Sequence, residues 1–408
     1  MDLKLWHVLR KDRNLCIYFL GRFISNLGNH FSFFAQSIAA YMFTNTLSSV
    51  GLLWIIRGIA SLLTIPLGGI AADLYGGKKI ILFTDIASAA TSFCFIFLNP
   101  SNYIWLLLIL SSISQIINRF FDPAAKASFK QISSQTPLHI SNSCNAILGQ
   151  ITIILGPLLA TSIYTITNGN LQFLFILDAI SFLVSFICIS FVQFGAQEKQ
   201  HQLPFHINAL KGFQYVFMNK NLLYILLFMT PIAFSGKVFE VLVLELSNRY
   251  WSTIKLGSMG IYLAVFAFGG ILGAMQVSKY REQLNNKKAY MKFISISGIL
   301  FFLLVVPSSA LSIIATFLLG ITFNQSVALA QIYIQQSCEE QYLGRVFATW
   351  TLLAVVGGGI GAYLSGLLHD IFNLKTAFFV TGFCMLLPLC ITLLKKFHRR
   401  QQQKKIGM

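Results

Sequence analysis

The chain has 408 residues, of which 56% are hydrophobic and only 11% are charged. Soluble domains carry about 25% charged residues, so this composition excludes a water-soluble globular protein. The formal net charge of +17 would suggest a nucleic-acid partner in a soluble chain. Many apolar runs, however, exceed the roughly 18 residues that mark a membrane-spanning helix. We therefore expect an all-α polytopic membrane protein that lies in a lipid bilayer and binds no nucleic acid.

Apolar runs of about 20 residues predict twelve transmembrane helices. Their predicted ranges are 15–42, 48–72, 79–98, 103–126, 142–166, 171–194, 222–246, 257–278, 289–307, 309–334, 345–370 and 375–396. The longest polar interruption lies midway and divides the helices six and six. We therefore predict an N-terminal six-helix bundle over 1–194, a cytoplasmic linker with an amphipathic helix over 195–221, and a C-terminal six-helix bundle with a short basic tail over 222–408.

The distribution of positive charge predicts the topology. With the N-terminus inside, 23 of the 30 Lys and Arg residues fall in inner segments, three in outer loops and four inside helices. Because basic residues concentrate on the cytoplasmic side, both termini are predicted to be cytoplasmic. The first apolar stretch is too long for the core of a signal peptide, which predicts an uncleaved first helix.

A short loop between predicted helices 2 and 3 carries a distinctive pattern over 69–79, Gly-Ile-Ala-Ala-Asp-Leu-Tyr-Gly-Gly-Lys-Lys. Gly69 allows close helix approach, and Asp73 needs a cationic or helix N-terminal partner. Gly76 and Gly77 permit a reversal at positive φ. Lys78 and Lys79 hold the turn on the cytoplasmic side.

This loop resembles motif A of the major facilitator superfamily, although Leu74 stands where that family usually has Arg or Lys. Two further stretches, 121–127 and 141–182, resemble the branch that contains macrolide efflux proteins and the enterobactin exporter. The resemblance implies two pseudo-symmetric six-helix bundles that move a small molecule by alternating access across a bacterial cytoplasmic (inner) membrane. We expect a monomer that uses the proton gradient and no cofactor.

The two halves of the sequence also echo each other. Gly156 and Pro157 resemble the family's helix-five antiporter motif, and Gly156 aligns with Gly359 at a shift of 203 residues. We expect the glycines and proline of these stretches to serve helix packing. The packing candidates are Gly156, Pro157, Gly357 and Gly361.

Ionisable residues inside membrane helices cost about 2.5–3.5 kcal/mol each, so each needs a partner or a wet cavity. The resemblance implies that helices 1, 4, 7 and 10 line a central cavity, and polar residues concentrate on those helices. The expected cavity residues are Arg22, Asn26, Asn29, His30, Arg57, Arg119, Lys237, Glu240, Asn324 and Gln325. Of these, His30 and Glu240 are the candidates for proton coupling.

Each candidate has a structural alternative. A Lys and a Glu three residues apart can form a purely structural ion pair, and Asn or Gln can bond across helices as packing. Arg22 can snorkel towards headgroups, and His30 can be a satisfied core histidine. Asp85 and Asp178 have no obvious sequence partner and are packing or coupling residues.

A second set of charges lies near the cytoplasmic ends of the predicted helices, and the resemblance implies that it forms a gate. The gate candidates are Gly69, Asp73, Gly76, Lys78, Lys79, Asp122 and Arg345. The alternative is a set of solvated loop charges, each worth at most about 1 kcal/mol.

The sequence contains no Walker loop, no G-x-S-x-G and no H-E-x-x-H, so we expect no enzyme activity. The seven cysteines form no C-x-x-C pair, which argues against a metal site. Arg22, Arg119 and Lys237 outnumber the acids of the expected cavity, which favours an acidic substrate such as a siderophore. We therefore expect a proton-coupled exporter. The alternatives are a lysophospholipid flippase, an importer, and a sensor on the same scaffold.

Overall fold

The computed structural model describes residues 12–98, 104–132, 136, 138–195, 218, 220–250, 258–280, 286–339 and 342–406. Thirteen α-helices, and no β-strand, lie within these ranges. They are α1 (Arg13–Thr44), α2 (Leu47–Tyr75), α3 (Gly77–Phe95), α4 (Ile104–Ile132), α5 (Leu138–Ile166), α6 (Leu171–Phe191), α7 (Lys220–Phe228), α8 (Thr230–Tyr250), α9 (Met259–Tyr280), α10 (Asn286–Leu303), α11 (Ser309–Ser337), α12 (Leu343–Ile371) and α13 (Leu374–Ile406).

Each of the twelve predicted segments coincides with a helix, but the seventh is divided in two. Pro231 has no N–H with which to continue the helical hydrogen-bond ladder. The carbonyl of Leu227, which would have received that bond, instead accepts one from the Thr230 hydroxyl at 2.7 Å. The helix therefore stops at Phe228 and restarts at Thr230.

The described helices have the composition and the surface of membrane spans. By length and hydropathy alone, nine runs among the described residues could cross a membrane. Large apolar side chains also stand exposed on the outer faces of the helices, among them Leu63 at 72%, Phe83 at 70% and Trp105 at 70% exposure. Such a surface is stable against lipid and not against water.

The chain divides into two compact units. The first comprises Met1–His206 with Thr253–Ala264, and the second comprises Ile207–Ser252 with Val265–Met408. The predicted linker helix lies almost wholly outside the described residues, so the boundaries predicted at 194 and 222 stay a prediction.

The two units use the same set of helix pairs. In the first, α1 packs on α5 and α6, α2 packs on α4, and α3 packs on α4 and α6. In the second, α8 packs on α12 and α13, and α10 packs on α11 and α13. The pair that corresponds to α2 and α4 is α9 and α11, whose backbones approach at Gly273 and Gly320. This repetition is the pseudo-symmetry predicted from the sequence.

Glycines on one face of α1 allow it to approach α6. A Cβ placed on Gly21 would lie 2.9 Å from Cys188 Cβ, and one on Gly28 would lie 2.7 Å from Asp178 Oδ1. Real Cβ atoms do not approach so closely, so both positions favour glycine. The carboxylate of Asp178 is thereby held directly against the backbone of α1.

The turn between α2 and α3 has the conformation predicted from its glycines. Gly76 adopts φ 84°, a value that side chains rarely tolerate. Gly77 instead begins α3 and lies against α4, where a Cβ would meet the carbonyl of Ala124 at 3.0 Å. Three of the predicted gate residues, Gly69, Asp73 and Arg345, have surroundings that the structure does not describe.

Candidate functional site

A cluster of polar side chains lies inside the first unit around Gln36. Its amide oxygen accepts hydrogen bonds from Arg57 Nη2 at 2.6 Å and from Ser111 Oγ at 2.8 Å. Its amide nitrogen donates to Ser32 Oγ at 2.9 Å. Because Gln36 is only 1% exposed, leaving any of these groups without a partner would be costly. Gln36 therefore joins α1, α2 and α4 at one buried point.

The guanidinium of Arg57 is also held by aromatic rings. Its central carbon lies 5.8 Å from the ring centroid of Phe33 and 5.9 Å from that of Trp54. Cations are attracted to aromatic faces at such distances. Arg57, which the sequence places deep in helix 2, thus has both a polar and an aromatic setting within the bundle.

Five helices of the first unit enclose a small polar cavity beside this cluster. Its volume is about 30 Å³, which is room for about two water molecules. Its lining residues are Asn29, Ser32, Gln36, Arg57, Ser88, Ser92, Ser114, Asn118, Asp178 and Phe182. Of the predicted cavity residues, the structure brings only Asn29 and Arg57 to this place.

Two buried aspartates join α3 and α6 by reciprocal hydrogen bonds. Ser185 on α6 donates to Asp85 Oδ2 at 2.8 Å, and Ser92 on α3 donates to Asp178 Oδ2 at 2.6 Å. Asp85 is 1% and Asp178 2% exposed. Both acids therefore have a serine partner on the opposite helix, which sequence inspection missed. The signal was present, because each helix carries an Asp followed seven residues later by a Ser.

Arg22 lies on α1 with neutral partners. Its guanidinium donates to Ser25 Oγ and Asn26 Oδ1, both at 3.3 Å. Its central carbon also lies 3.8 Å from the ring centroid of Phe121 on α4. Asn26 thus orients a cation, which is neither of the two roles that the sequence suggested for it.

Arg119 and Asp122 form an ion pair on α4, with Nη1 and Oδ2 3.6 Å apart. With its amide oriented to satisfy its neighbours, Gln115 accepts from Arg119 Nε at 3.0 Å and from Nη2 at 2.9 Å. The sequence assigned Arg119 to the substrate cavity and Asp122 to the gate. The structure brings the two together in one short network.

Lys237 and Glu240 form the ion pair that their spacing predicted. Lys237 Nζ donates to Glu240 Oε1 at 2.7 Å, with 36% and 24% of the two side chains exposed. Lys237 packs on α12, where its Cγ lies 3.2 Å from the position of a Cβ on Gly358. The pair is therefore held on α8 by close packing, yet it is still open to water or solute.

Asn324 and Gln325 on α11 pack towards α9. The Asn324 amide donates to the carbonyl of Gly320 at 3.1 Å and lies against Gly270. Gln325, 3% exposed, donates to Gln276 Oε1 at 2.7 Å. Gln325 thus bonds across helices, as the packing alternative predicts, whereas the bond of Asn324 stays within α11.

His30 lies between α1 and α5, where a Cβ on Gly156 would fall 2.5 Å from His30 Cβ. Gly156 is thus in a close helix contact, as expected of a packing residue, and Pro157 follows it inside α5. On α12, Gly361 lies against the carbonyl of Phe234, whereas the nearest atom to a Cβ on Gly357 is 3.7 Å away. Only one of the two predicted packing glycines of α12 is therefore in tight contact.

Lys78 contacts the C-terminal end of α6. Its Nζ donates to the carbonyls of Ser190 at 3.0 Å and Val192 at 2.7 Å. Cations near a helix C-terminus satisfy free carbonyls and interact favourably with the helix dipole. Lys79, in contrast, is exposed. The two adjacent lysines, both predicted to belong to a gate, thus have different surroundings.

We expect Lys78→Met to lower the stability of the protein by about 2 kcal/mol, because hydrogen bonds to charged groups contribute about 1.5–3 kcal/mol. Lys79→Met is the matched control and should change stability by less than about 0.5 kcal/mol. Thermal unfolding of both variants in detergent measures the difference. Equal unfolding temperatures would show that Lys78 does not stabilise α6.

No group of three or more His, Cys, Asp or Glu side chains that could hold a metal ion occurs among the described residues. The charges of Arg22, Arg57, Lys78, Arg119 and Lys237 are instead held in ion pairs or by neutral partners. What the arrangement can do is bind a charged solute at a part-exposed side chain, or bind water and protons at a buried one.

Comparison with known proteins supplies the family context. The sequence matches the family profile described as Major Facilitator Superfamily over residues 17–323 and 252–407. It is 26% identical over 303 residues to the proposed bacilysin exporter BacE of Bacillus subtilis (strain 168), covering 72% of this chain and 75% of that protein. It is 24% identical over 344 residues to macrolide efflux protein A of Streptococcus pyogenes, covering 80% of this chain and 82% of that protein.

A solved structure of the nucleoside transporter NupG superposes with a TM-score of 0.78, covering 94% of this chain and 99% of that chain. At 13% sequence identity this likeness concerns the fold alone.

Proposed function

Because the chain belongs to the Major Facilitator Superfamily, we propose that it is a proton-coupled exporter of a small organic solute that works by alternating access. The family makes the chain a multi-pass membrane transporter and not an enzyme. The predicted superfamily, its fold and the resemblance to macrolide efflux proteins are confirmed. The identity of the solute, the direction of its transport and the coupling ion are part of the proposal.

The observation that carries the proposal is the Lys237–Glu240 pair. A charged pair within a membrane span is costly and marks a substrate or ion pathway by default. Here both side chains remain partly exposed, at 36% and 24%. Lys237 can therefore exchange its intramolecular carboxylate for one on a solute. Glu240, once released, can take up a proton.

A second cation, Arg22, also supports an acidic solute. Arg22 donates its described hydrogen bonds to the neutral groups of Ser25 and Asn26, and the nearby carboxylate of Asp85 also interacts with its charge. A cavity with excess positive charge concentrates anions. Export is the favoured direction because two relatives are named for export or efflux.

We place the protein in the bacterial cytoplasmic membrane as a monomer with both termini in the cytoplasm. The support for this orientation is the concentration of Lys and Arg in segments that are then cytoplasmic. The support for a bacterial membrane is the source of the two relatives.

Proteoliposomes with an imposed pH gradient test the proposal. Three probes are compared: a carboxylate siderophore, a basic macrolide and a lysophospholipid. We expect the siderophore to move in the direction opposite to the proton flow, at a rate at least about tenfold higher than in protein-free liposomes. Proton binding would shift the population between the two conformations of the transporter by a factor of this order. A protonophore should abolish the accumulation.

The other outcomes identify what would be wrong. Preferential macrolide transport would overturn the acidic substrate. Lysophospholipid movement that does not respond to the gradient would indicate a flippase. Siderophore movement in the same direction as protons would indicate an importer.

A further inference from the structure

The two oxygens of the Asp178 carboxylate have different surroundings. Oδ2 accepts the hydroxyl proton of Ser92 at 2.6 Å. Oδ1 is buried and accepts no hydrogen bond of good geometry among the described residues, although the side chain of Ser32 on α1 lies near the carboxylate. The side chain is 2% exposed and lines the polar cavity. The carboxylate is therefore only half satisfied.

A buried acceptor without a partner costs the full desolvation of that group, and the cost is larger when the group is charged. A proton on Oδ1 would remove the charge and change this oxygen into a donor. Asn29, Asn118 and Ser88 also line this cavity, and their side chains carry oxygens of the kind that can accept from such a donor. Protonation would thus remove the buried charge and allow Oδ1 to form the hydrogen bond that it lacks.

Two features of the surroundings of Asp178 have opposite effects on its protonation. The hydroxyl of Ser92, which donates to Oδ2, favours the ionised carboxylate, and Arg57 on α2 lines the same cavity. Burial between α1, α3 and α6 favours the neutral acid. The two influences therefore oppose each other at this carboxylate.

The other ionisable groups near α6 have their own contacts. On α3, Asp85 accepts from Ser185 two turns along α6 from Asp178. On α1, Arg22 is bound to Ser25 and Asn26, and His30 faces Gly156 on α5. No Asp, Glu, Lys or Arg occurs in the sequence of α5. Arg57 is thus the charge that shares the cavity with Asp178.

A proton fits this cavity better than a metal ion does. The space of about 30 Å³ admits about two water molecules. A metal cation there would share that space with the guanidinium of Arg57. Asp178 is also the single carboxylate among the described lining residues, whereas hard cations take six or more oxygen ligands.

We propose that Asp178 is a site of reversible protonation, and that it carries a coupling proton of this transporter in addition to any that Glu240 takes up. Its role in coupling rests on the proposed function; its protonation does not. The reaction is the uptake of one proton by the carboxylate oxygen Oδ1 and its later release, with no other bond formed or broken.

Infrared difference spectroscopy of the purified protein between acid and alkaline pH tests protonation directly. We expect a pH-dependent carboxylic acid C=O band that disappears in Asp178→Asn and remains in Asp85→Asn. Asp85 is the matched control because it is equally buried and has the same kind of serine partner on the same helix pair. Asp178→Glu keeps a carboxyl group at this position and should retain a carboxylic acid band. It therefore keeps the test decisive if Asp178→Asn fails to fold.

Two spectroscopic outcomes would overturn the proposal. A spectrum unchanged by Asp178→Asn would show that this carboxyl does not titrate. A band that sodium at constant pH removes as completely as alkali would identify a metal ion as the ligand.

Transport in proteoliposomes tests the coupling separately, with the siderophore, macrolide and lysophospholipid probes. For any probe that the wild type accumulates, Asp178→Asn should reduce gradient-driven accumulation at least tenfold and preserve exchange without a gradient. Undiminished accumulation would overturn the coupling role. If the wild type accumulates no probe under a pH gradient, proton coupling as a whole fails, while the infrared result still decides protonation.

Discussion

Gly361→Ala is expected to destabilise the second unit by about 2 kcal/mol or to prevent its assembly, whereas Gly357→Ala should be neutral or slightly stabilising. Both glycines lie on α12, four residues apart. A Cβ on Gly361 would collide with the carbonyl of Phe234, and backbone cannot move aside as a flexible side chain can. Overpacking of this kind costs about 1–3 kcal/mol.

The control position has room for the same methyl group. The nearest atom to a Cβ on Gly357 is 3.7 Å away, an ordinary contact distance. Replacing Gly by Ala within a helix gains up to about 1 kcal/mol. Thermal unfolding and the yield of monodisperse protein in detergent measure both variants. If Gly361→Ala and Gly357→Ala lose the same stability, α8 and α12 do not approach each other closely at Gly361.

Lys237→Gln is expected to reduce the transport of an acidic solute at least about tenfold, because it removes the cation that would bind the solute carboxylate. Lys237→Arg should keep partial activity, since the charge remains while the geometry of the donor changes. Initial rates of carboxylate-siderophore transport in proteoliposomes measure both.

A double variant separates solute binding from a purely structural ion pair. Lys237→Gln leaves Glu240 without the partner that now lies 2.7 Å away, so some loss could come from an unpaired charge. Adding Glu240→Gln removes that charge. If the double variant recovers wild-type transport, the pair is structural and Lys237 does not bind the solute.

The helices could be predicted because their lengths depend on apolar runs alone. The turn at Gly76 followed from two adjacent glycines, and the Lys237–Glu240 pair followed from a spacing of three on one helix. The division at Met229 was harder. A proline within a helix favours a kink at position 231, but the complete break depends on the Thr230 hydroxyl, which donates to the carbonyl that the proline leaves free.

The polar cluster could not be predicted, since it depends on how three helices meet. Gln36, Arg57 and Ser111 are far apart in sequence, and none of them indicates which faces of α1, α2 and α4 are in contact. The same holds for Lys78. Its proximity to Lys79 suggested a shared role. Its bonds to Ser190 and Val192 form because the start of α3 lies beside the end of α6, which the sequence does not indicate.

The reciprocal bonds between α3 and α6 have a mechanical consequence. Asp85 and Ser92 are separated by the same seven residues as Asp178 and Ser185, so the two bonds form at one alignment of the helices. Seven residues span about 10.5 Å along a helix. Sliding α6 against α3 by a single turn would break both bonds at once and leave two carboxylates without donors inside the membrane. Whatever motion the first unit makes during transport, these two helices must therefore travel as one rigid piece.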